Sequence, residues 1–145
     1  MTDLSTATDN EIAIKALDLT GYVHNEDVRT SRRWFYKIGA ANGSPIIVGE
    51  KGTMVAFNPC SSMGTAMSLL ITTSEKYAKR GSKVSLVILD LTETSGTVIV
   101  RTNGEHLGKV DYRCIVDAKC IHPRAIAIAC VNALEDLAEM GEPTS

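Results

Sequence analysis

The sequence of 145 residues contains no long uninterrupted apolar run. A transmembrane helix needs about 18 or more such residues, so none is expected. The first ten residues are polar and acidic, without the basic and apolar regions of a secretory signal. From these two absences we expect a cytoplasmic protein that makes no membrane contact.

Cysteine and histidine are few and irregularly spaced. The four cysteines, Cys60, Cys114, Cys120 and Cys130, form no C-x-x-C pair, and the three histidines form no H-x-x-x-H pair. Zinc sites and disulfide frameworks both depend on regular spacing of these residues. We therefore expect reduced thiols, no metal ligands and no cofactor.

A strong excess of charge of either sign is also lacking. Lysine and arginine number 15 against 17 aspartates and glutamates, which gives a net charge of -2. This balance excludes a polycation, so any contact with nucleic acid must come from a local patch. Hydrophobic residues at 44% and charged residues at 22% are typical of a globular domain. We expect one domain over residues 11–141, between a flexible leader (1–10) and a polar tail (142–145).

Hydrophobic periodicity and turn residues predict the secondary structure. Helices are predicted over residues 62–80 and 123–140, and strands over residues 34–38, 45–48, 53–57, 84–91, 97–101 and 106–116. Residues 11–19 alternate as a strand would but also fit a short amphipathic helix, and we expect the helix. The apolar run in 84–91 indicates a strand that is central in the sheet and buried on both faces. Asn103-Gly104 is a typical hairpin dipeptide.

This order of elements predicts the fold class. We expect an α+β fold, with a mostly antiparallel sheet of about six strands and two main helices on one face. Three strands and a helix occur twice in succession. That order raises the hypothesis of a duplicated βββα arrangement.

The densest candidate binding segment is residues 29–37, where cations alternate with aromatic rings. Arginine pairs with phosphate through a bidentate fork, and aromatic rings stack on bases. This mixture predicts a ligand that carries phosphate, either nucleic acid or a nucleotide. The predicted site comprises Arg29, Arg32, Arg33, Trp34, Tyr36 and Lys37. The competing interpretation places the Trp34 and Tyr36 rings in the core and the cations in water.

The start of the helix at residue 62 is a second candidate. Backbone N–H groups at a helix N-terminus bind anions, so Ser61 and Ser62 join the predicted site. The glycine spacing here differs from a P-loop, and no lysine follows. Cys60 precedes the same helix, where the helix dipole would lower its thiol pKa. A small cysteine-dependent enzyme is therefore one alternative function.

One resemblance to a known family covers the middle third of the chain. Trp34-Phe35-Tyr36, two further strands and a small-residue helix from Ser62 resemble plasmid antirestriction proteins. The resemblance ends after Lys83, where this chain continues into strands. It implies an anti-defence protein of a mobile element.

The leading hypothesis is a small non-catalytic binding protein for a phosphate-bearing ligand. The main alternative is a protein–protein inhibitor or adaptor with a protein target, in which the Arg/Trp/Tyr cluster is an interface hot spot. Exposed edges of a small sheet favour a symmetric partner, so we also expect a homo-oligomer.

Overall fold

A computed structural model of the chain describes residues 4, 6–24, 35–39, 43–49, 53–90, 92, 95–105, 107–116 and 123–140. Within these ranges the fold is α+β, with three helices and two sheets. The elements in chain order are α1 (Asp9–Leu19), β1 (Val23–His24), β2 (Phe35–Ile38), β3 (Pro45–Val48), β4 (Met54–Ala56), α2 (Met63–Ala78), β5 (Ser82–Leu89), β6 (Gly96–Gly104), β7 (Gly108–Val116) and α3 (Pro123–Glu139). No helix of this described part is both long enough and apolar enough to cross a membrane.

Side-chain caps define the starts of the first two helices. The Thr8 hydroxyl accepts a hydrogen bond from the Glu11 N–H at 3.1 Å, so α1 begins before the predicted residue 11. The Ser62 hydroxyl accepts from the Thr65 N–H at 3.2 Å, so Ser62, rather than Ser61, is the N-cap of α2. Gly81, with φ of +74°, follows the end of α2, as expected for a glycine stop.

The strands form two separate sheets, and the prediction of one six-stranded sheet was wrong. The first sheet has the order β1-β2-β3-β4, with β1 parallel to β2 and the other pairs antiparallel. The second has the order β5-β6-β7 and is antiparallel. After α2 the chain pairs β5 with the next strand instead of returning to the first sheet. The duplicated βββα arrangement stays a hypothesis.

The predicted central position of β5 was also wrong. β5 is an edge strand, where Ile88 and Leu89 are 42% and 39% exposed. The central strand is β6, in which Val98 and Val100 are fully buried. An apolar run indicates that a strand can be buried. Which strand is central depends on pairing, and β6 forms a hairpin with β5 on one side and with β7 on the other, so it lies between them.

The predicted hairpin turn at Asn103-Gly104 lies slightly later in the structure. Asn103 pairs with Lys109 and Gly104 pairs with Gly108, so the loop comprises residues 105–107. Gly108 has a φ of +71°, which favours glycine at the end of this short loop. The hairpin itself is confirmed.

Helix α3 is the centre of the core. Eleven of its 17 residues are buried, including Ala129, Val131 and Ala133. It packs against α1, α2, β6 and β7. A helix that is apolar on nearly all sides is typical of a buried core helix.

A chain of hydrogen bonds crosses this core. The Tyr77 hydroxyl donates to the Ala133 carbonyl at 2.6 Å and lies 3.4 Å from the Tyr112 hydroxyl. The Tyr112 hydroxyl donates to the Asp136 carboxylate at 2.7 Å. Burial and this carboxylate raise the pKa of Tyr112, so its hydroxyl remains protonated at neutral pH. The network connects α2 and β7 to α3.

Part of the predicted leader packs against the domain. Leu4 is 6% exposed and belongs to the core cluster. The Arg124 guanidinium donates to the Ala7 carbonyl at 2.6 Å and pairs with the Asp9 carboxylate. These contacts hold the chain before α1 against the start of α3.

We predict that Tyr112→Phe lowers the free energy of unfolding by about 1–2 kcal/mol. The change leaves Asp136 without its donor and removes little apolar volume. Urea denaturation followed by far-UV circular dichroism measures the effect. Tyr22→Phe is a control on a half-buried tyrosine outside this network. Equal stability of Tyr112→Phe and the wild type would show that the network does not stabilise the fold.

Candidate functional site

A cleft of about 560 Å³ lies between α2 and the first sheet. This volume is within the usual range for small-molecule sites. Its walls come from the end of α1, from β3 and β4, and from the first turns of α2. The lining residues are Thr20, Gly21, Tyr22, Ile47, Val55, Ala56, Phe57, Ser62, Gly64, Thr65, Ser68, Leu69 and Thr72.

Hydroxyl groups form one wall of the cleft. Thr65, Ser68 and Thr72 are three and four residues apart, which places them on one side of α2. The Thr65 hydroxyl bonds the Asn58 side chain at 3.3 Å, and the Thr72 hydroxyl donates to the Ser68 carbonyl at 3.1 Å. The Ser68 hydroxyl has no partner within the described ranges. It is therefore free to bond a ligand.

The first turn of α2 presents backbone donors at the same wall. The first hydrogen bond within the helix joins the Ala66 N–H to the Ser62 carbonyl at 2.9 Å. The Thr65 N–H is taken by the Ser62 side chain. The N–H groups of Met63 and Gly64 precede this bonding pattern and point toward the N-terminal end of the helix. Gly64 lines the cleft, so an anion there would meet a positive helix end.

Aromatic and aliphatic side chains complete the cleft. Tyr22 follows α1 and Phe57 follows β4, so two aromatic residues line the cleft from different segments, and the Phe57 side chain also packs against the core. Ile47 and Val55 are cross-strand partners and share one face of the sheet. No lysine, arginine, histidine, aspartate or glutamate is among the described lining residues. The described part of the lining is therefore uncharged, with a polar wall and an apolar wall.

The structure brings one of the predicted site residues into this cleft. Ser62 lines it, whereas Ser61 is exposed and its hydroxyl is 3.5 Å from the Asn58 carbonyl. Lys37 is half-buried in β2 and does not line the cleft. The predicted residues Arg29, Arg32, Arg33 and Trp34 lie outside the described residues.

Tyr36 occupies a structural position beside the cleft. It is 2% exposed, and its hydroxyl donates to the Asp18 carboxylate at 2.7 Å. Burial, followed by this hydrogen bond, raises its pKa. The His24 ring stacks on the Tyr36 ring with centroids 5.1 Å apart. Tyr36 is thus already packed on both its ring and its hydroxyl, so base stacking by the predicted cluster would depend on Trp34.

The register of the first sheet places β2 next to the cleft wall. Tyr36 pairs with Ile47, and Ile47 pairs with Val55. These three side chains share one face of the sheet, and two of them line the cleft. The arginine-rich residues 29–33 precede β2 in the chain.

The expected activation of Cys60 was wrong. Cys60 is 6% exposed and lies next to the pair formed by Asp9 and Arg124. Burial, and then the Asp9 charge, raise the pKa of its thiol to about 12. Desolvation outweighs the helix dipole because the thiol is enclosed before the helix begins. Cys60 therefore has the character of a structural thiol.

Several cleft residues were missed in the sequence. Tyr22 carries no local signal, because its position depends on how the chain leaves α1. Phe57 was assigned only to a strand. The hydroxyl spacing of Thr65, Ser68 and Thr72 was visible as a polar stripe on a predicted helix. That stripe was the one signal that could have located the cleft.

Comparisons place no known protein beside this chain. No group of three or more potential metal ligands occurs among the residues described. No protein-family model, curated protein or solved structure matches the chain significantly.

We predict that Cys60 reacts slowly with iodoacetamide in the folded protein. Its alkylation rate should still rise between about pH 9.5 and pH 11, where the rate of an ordinary thiol with a pKa of about 8.5 has levelled off. Mass spectrometry of peptides resolves Cys60 from the other cysteines, and urea-unfolded protein supplies the reference rate. Equal native and unfolded rates near pH 7 would contradict the raised pKa.

Proposed function

We propose that this chain is a small non-catalytic binding protein whose ligand carries phosphate, with a nucleotide as the ligand of the cleft. One observation carries the proposal. The cleft of about 560 Å³ is lined by two aromatic residues, by a row of residues with hydroxyl groups and by the first turn of a helix. A base needs an aromatic surface, a sugar needs hydroxyl partners and a phosphate needs the N-terminal end of a helix.

Each part of a nucleotide has a matching wall. Tyr22 and Phe57 offer ring faces for a base, and base–aromatic stacking contributes about 1–3 kcal/mol per base. Ser68 and Thr72 offer hydrogen bonds to a sugar. The N–H groups at the start of α2, with Gly64 at the wall, suit one phosphate group.

The neutral lining favours a ligand of low charge. A helix N-terminus supplies the equivalent of about half a positive charge, which suits one phosphate better than three. Arg29, Arg32 and Arg33 would add phosphate contacts if the ligand is a longer nucleic acid. Their position in the chain ahead of β2 supports this extension of the proposal.

A binding role fits the chemistry of the cleft better than catalysis. No histidine or carboxylate among the described residues lines it, so the Ser and Thr hydroxyls have no general base beside them. Cys60 is buried and has a raised thiol pKa. The cleft holds polar groups suited to recognition.

A second candidate function is a protein-binding adaptor, with self-association as one form of it. Met63, Met67 and Ile71 are four residues apart on α2 and are 42%, 37% and 56% exposed. Met54, on the edge strand β4, is 57% exposed. A row of exposed apolar side chains along a helix, as on α2, is typical of protein contact surfaces. The nucleotide titration below separates the two functions.

We predict that Ser68→Leu weakens nucleotide binding about tenfold or more, equivalent to about 1.4 kcal/mol. The larger side chain would enter the cleft and remove the free hydroxyl. Ser74→Leu is the matched control, because Ser74 lies on the same helix but does not line the cleft. Isothermal titration with nucleoside monophosphates, and with inorganic phosphate alone, measures both variants.

Two outcomes of this titration would overturn the proposal. The first is equal loss of affinity in Ser68→Leu and Ser74→Leu, which would indicate a general effect on α2. The second is a wild-type protein that binds none of the nucleoside monophosphates. That second result would favour the adaptor function.

A further inference from the structure

The register of the second sheet places a group of cations on one face. Side chains alternate along a strand, and Val98, Val100 and Tyr112 face the core. The intervening positions therefore face the other way. On this outer face Lys83, Asn103 and Lys109 form one row, and Ser85, Arg101 and Asp111 form the next. Arg113 follows Asp111 on the same face of β7.

We define the basic face as Lys83, Arg101, Lys109 and Arg113. Lys83, Lys109 and Arg113 are exposed, and the Arg101 side chain is 30% exposed. Asp111 is the carboxylate within these rows, while Glu105 lies beyond them in the hairpin loop. Four cations against one carboxylate contrast with the net charge of -2 of the whole chain. The positive charge is therefore concentrated locally.

An ion pair organises the centre of this face. The Arg101 guanidinium donates to both Asp111 oxygens, at 2.7 Å and 3.1 Å. Arg113 also donates to Asp111, at 3.3 Å. These contacts satisfy Asp111 and orient Arg101 across β6 and β7. The face therefore carries more positive charge, from Lys83, Lys109 and Arg113, than the Asp111 carboxylate neutralises.

We infer that the basic face binds the phosphate backbone of a nucleic acid, without reading its base sequence. Backbone binding requires cations and hydrogen-bond donors, and Ser85 and Asn103 supply neutral donors between the cations. The rows are about 6.8 Å apart along the strands, so the cations form a regular array on a sheet surface. This surface is separate from the cleft, and the inference does not depend on the proposed function.

The composition of the face favours nucleic acid over an acidic protein. Protein interfaces are anchored by buried aromatic or large apolar side chains. The two basic rows contain none of these residues. In the adjacent row Ile99 is fully buried, and the exposed apolar side chains of this face, Leu89 and Ile115, lie one row further on, at the opposite end of the strands from Lys83 and Lys109. A second copy of the chain would bring like charges together, which also opposes self-association through this face.

Fluorescence anisotropy with labelled single-stranded and double-stranded oligonucleotides of several sequences tests the inference. The variant Lys83→Gln/Lys109→Gln removes two exposed cations and leaves the Arg101–Asp111 pair intact. Lys76→Gln/Lys79→Gln is the matched control, since it removes two lysines near the end of α2, which packs on the core side. Circular dichroism verifies that both variants fold.

We expect the basic-face variant to bind single strands at least tenfold more weakly at about 50 mM salt. The slope of log affinity against log salt should flatten by about 1.4, as about 0.7 is lost for each phosphate contact on a single strand. The control should keep the wild-type affinity and slope, and oligonucleotide sequence should matter little.

Three results would overturn the inference. One is no measurable binding of any oligonucleotide by the wild type at about 50 mM salt. Another is an equal loss of affinity in the basic-face variant and the control. The third is displacement of the oligonucleotide by polyglutamate as readily as by unlabelled nucleic acid, which would assign the face to acidic polypeptides.

Discussion

Burial of α3 is the constraint on which the rest of the structure depends. Its apolar surface is covered by α1, α2 and the second sheet, and the Tyr77, Tyr112 and Asp136 hydrogen bonds join three of these elements. The first sheet contacts α1 through β1 and β3. The cleft lies between α2 and the first sheet, which leave space between them. A tightly packed side of the domain thus supports a side with room for a ligand.

The two candidate surfaces differ in physical character. The described lining of the cleft is uncharged and consists of aromatic, aliphatic and hydroxyl-bearing residues, so recognition there would depend on shape and hydrogen bonds. The basic face belongs to a sheet and carries an excess of cations, so binding there would depend on charge and on salt. A nucleotide and a nucleic acid share the phosphate group. The two surfaces therefore suit related ligands by different physical means.

Local patterns in the sequence predicted elements better than they predicted partners. The cap at Ser62, the β2–β3 hairpin and the helix from Pro123 follow from residues close together in the chain. The division into two sheets and the edge position of β5 depend on pairings between distant residues. Tyr22 and Cys60 show the same limit, because tertiary packing places one in the cleft and encloses the other. Ser62 is a predicted site residue that does line the cleft, and its position at the start of α2 follows from the residues next to it in the sequence.

The most direct test of the proposed nucleotide site is a nuclear magnetic resonance titration of ¹⁵N-labelled protein with nucleoside monophosphates. If a nucleotide binds in the cleft, the backbone amide signals of its lining residues should shift saturably, namely those of Gly64, Thr65, Tyr22 and Phe57. The signals of Lys83 and Lys109 should change little. Shifts confined to the basic face, or no saturable shifts at the cleft, would contradict a nucleotide site between α2 and the first sheet.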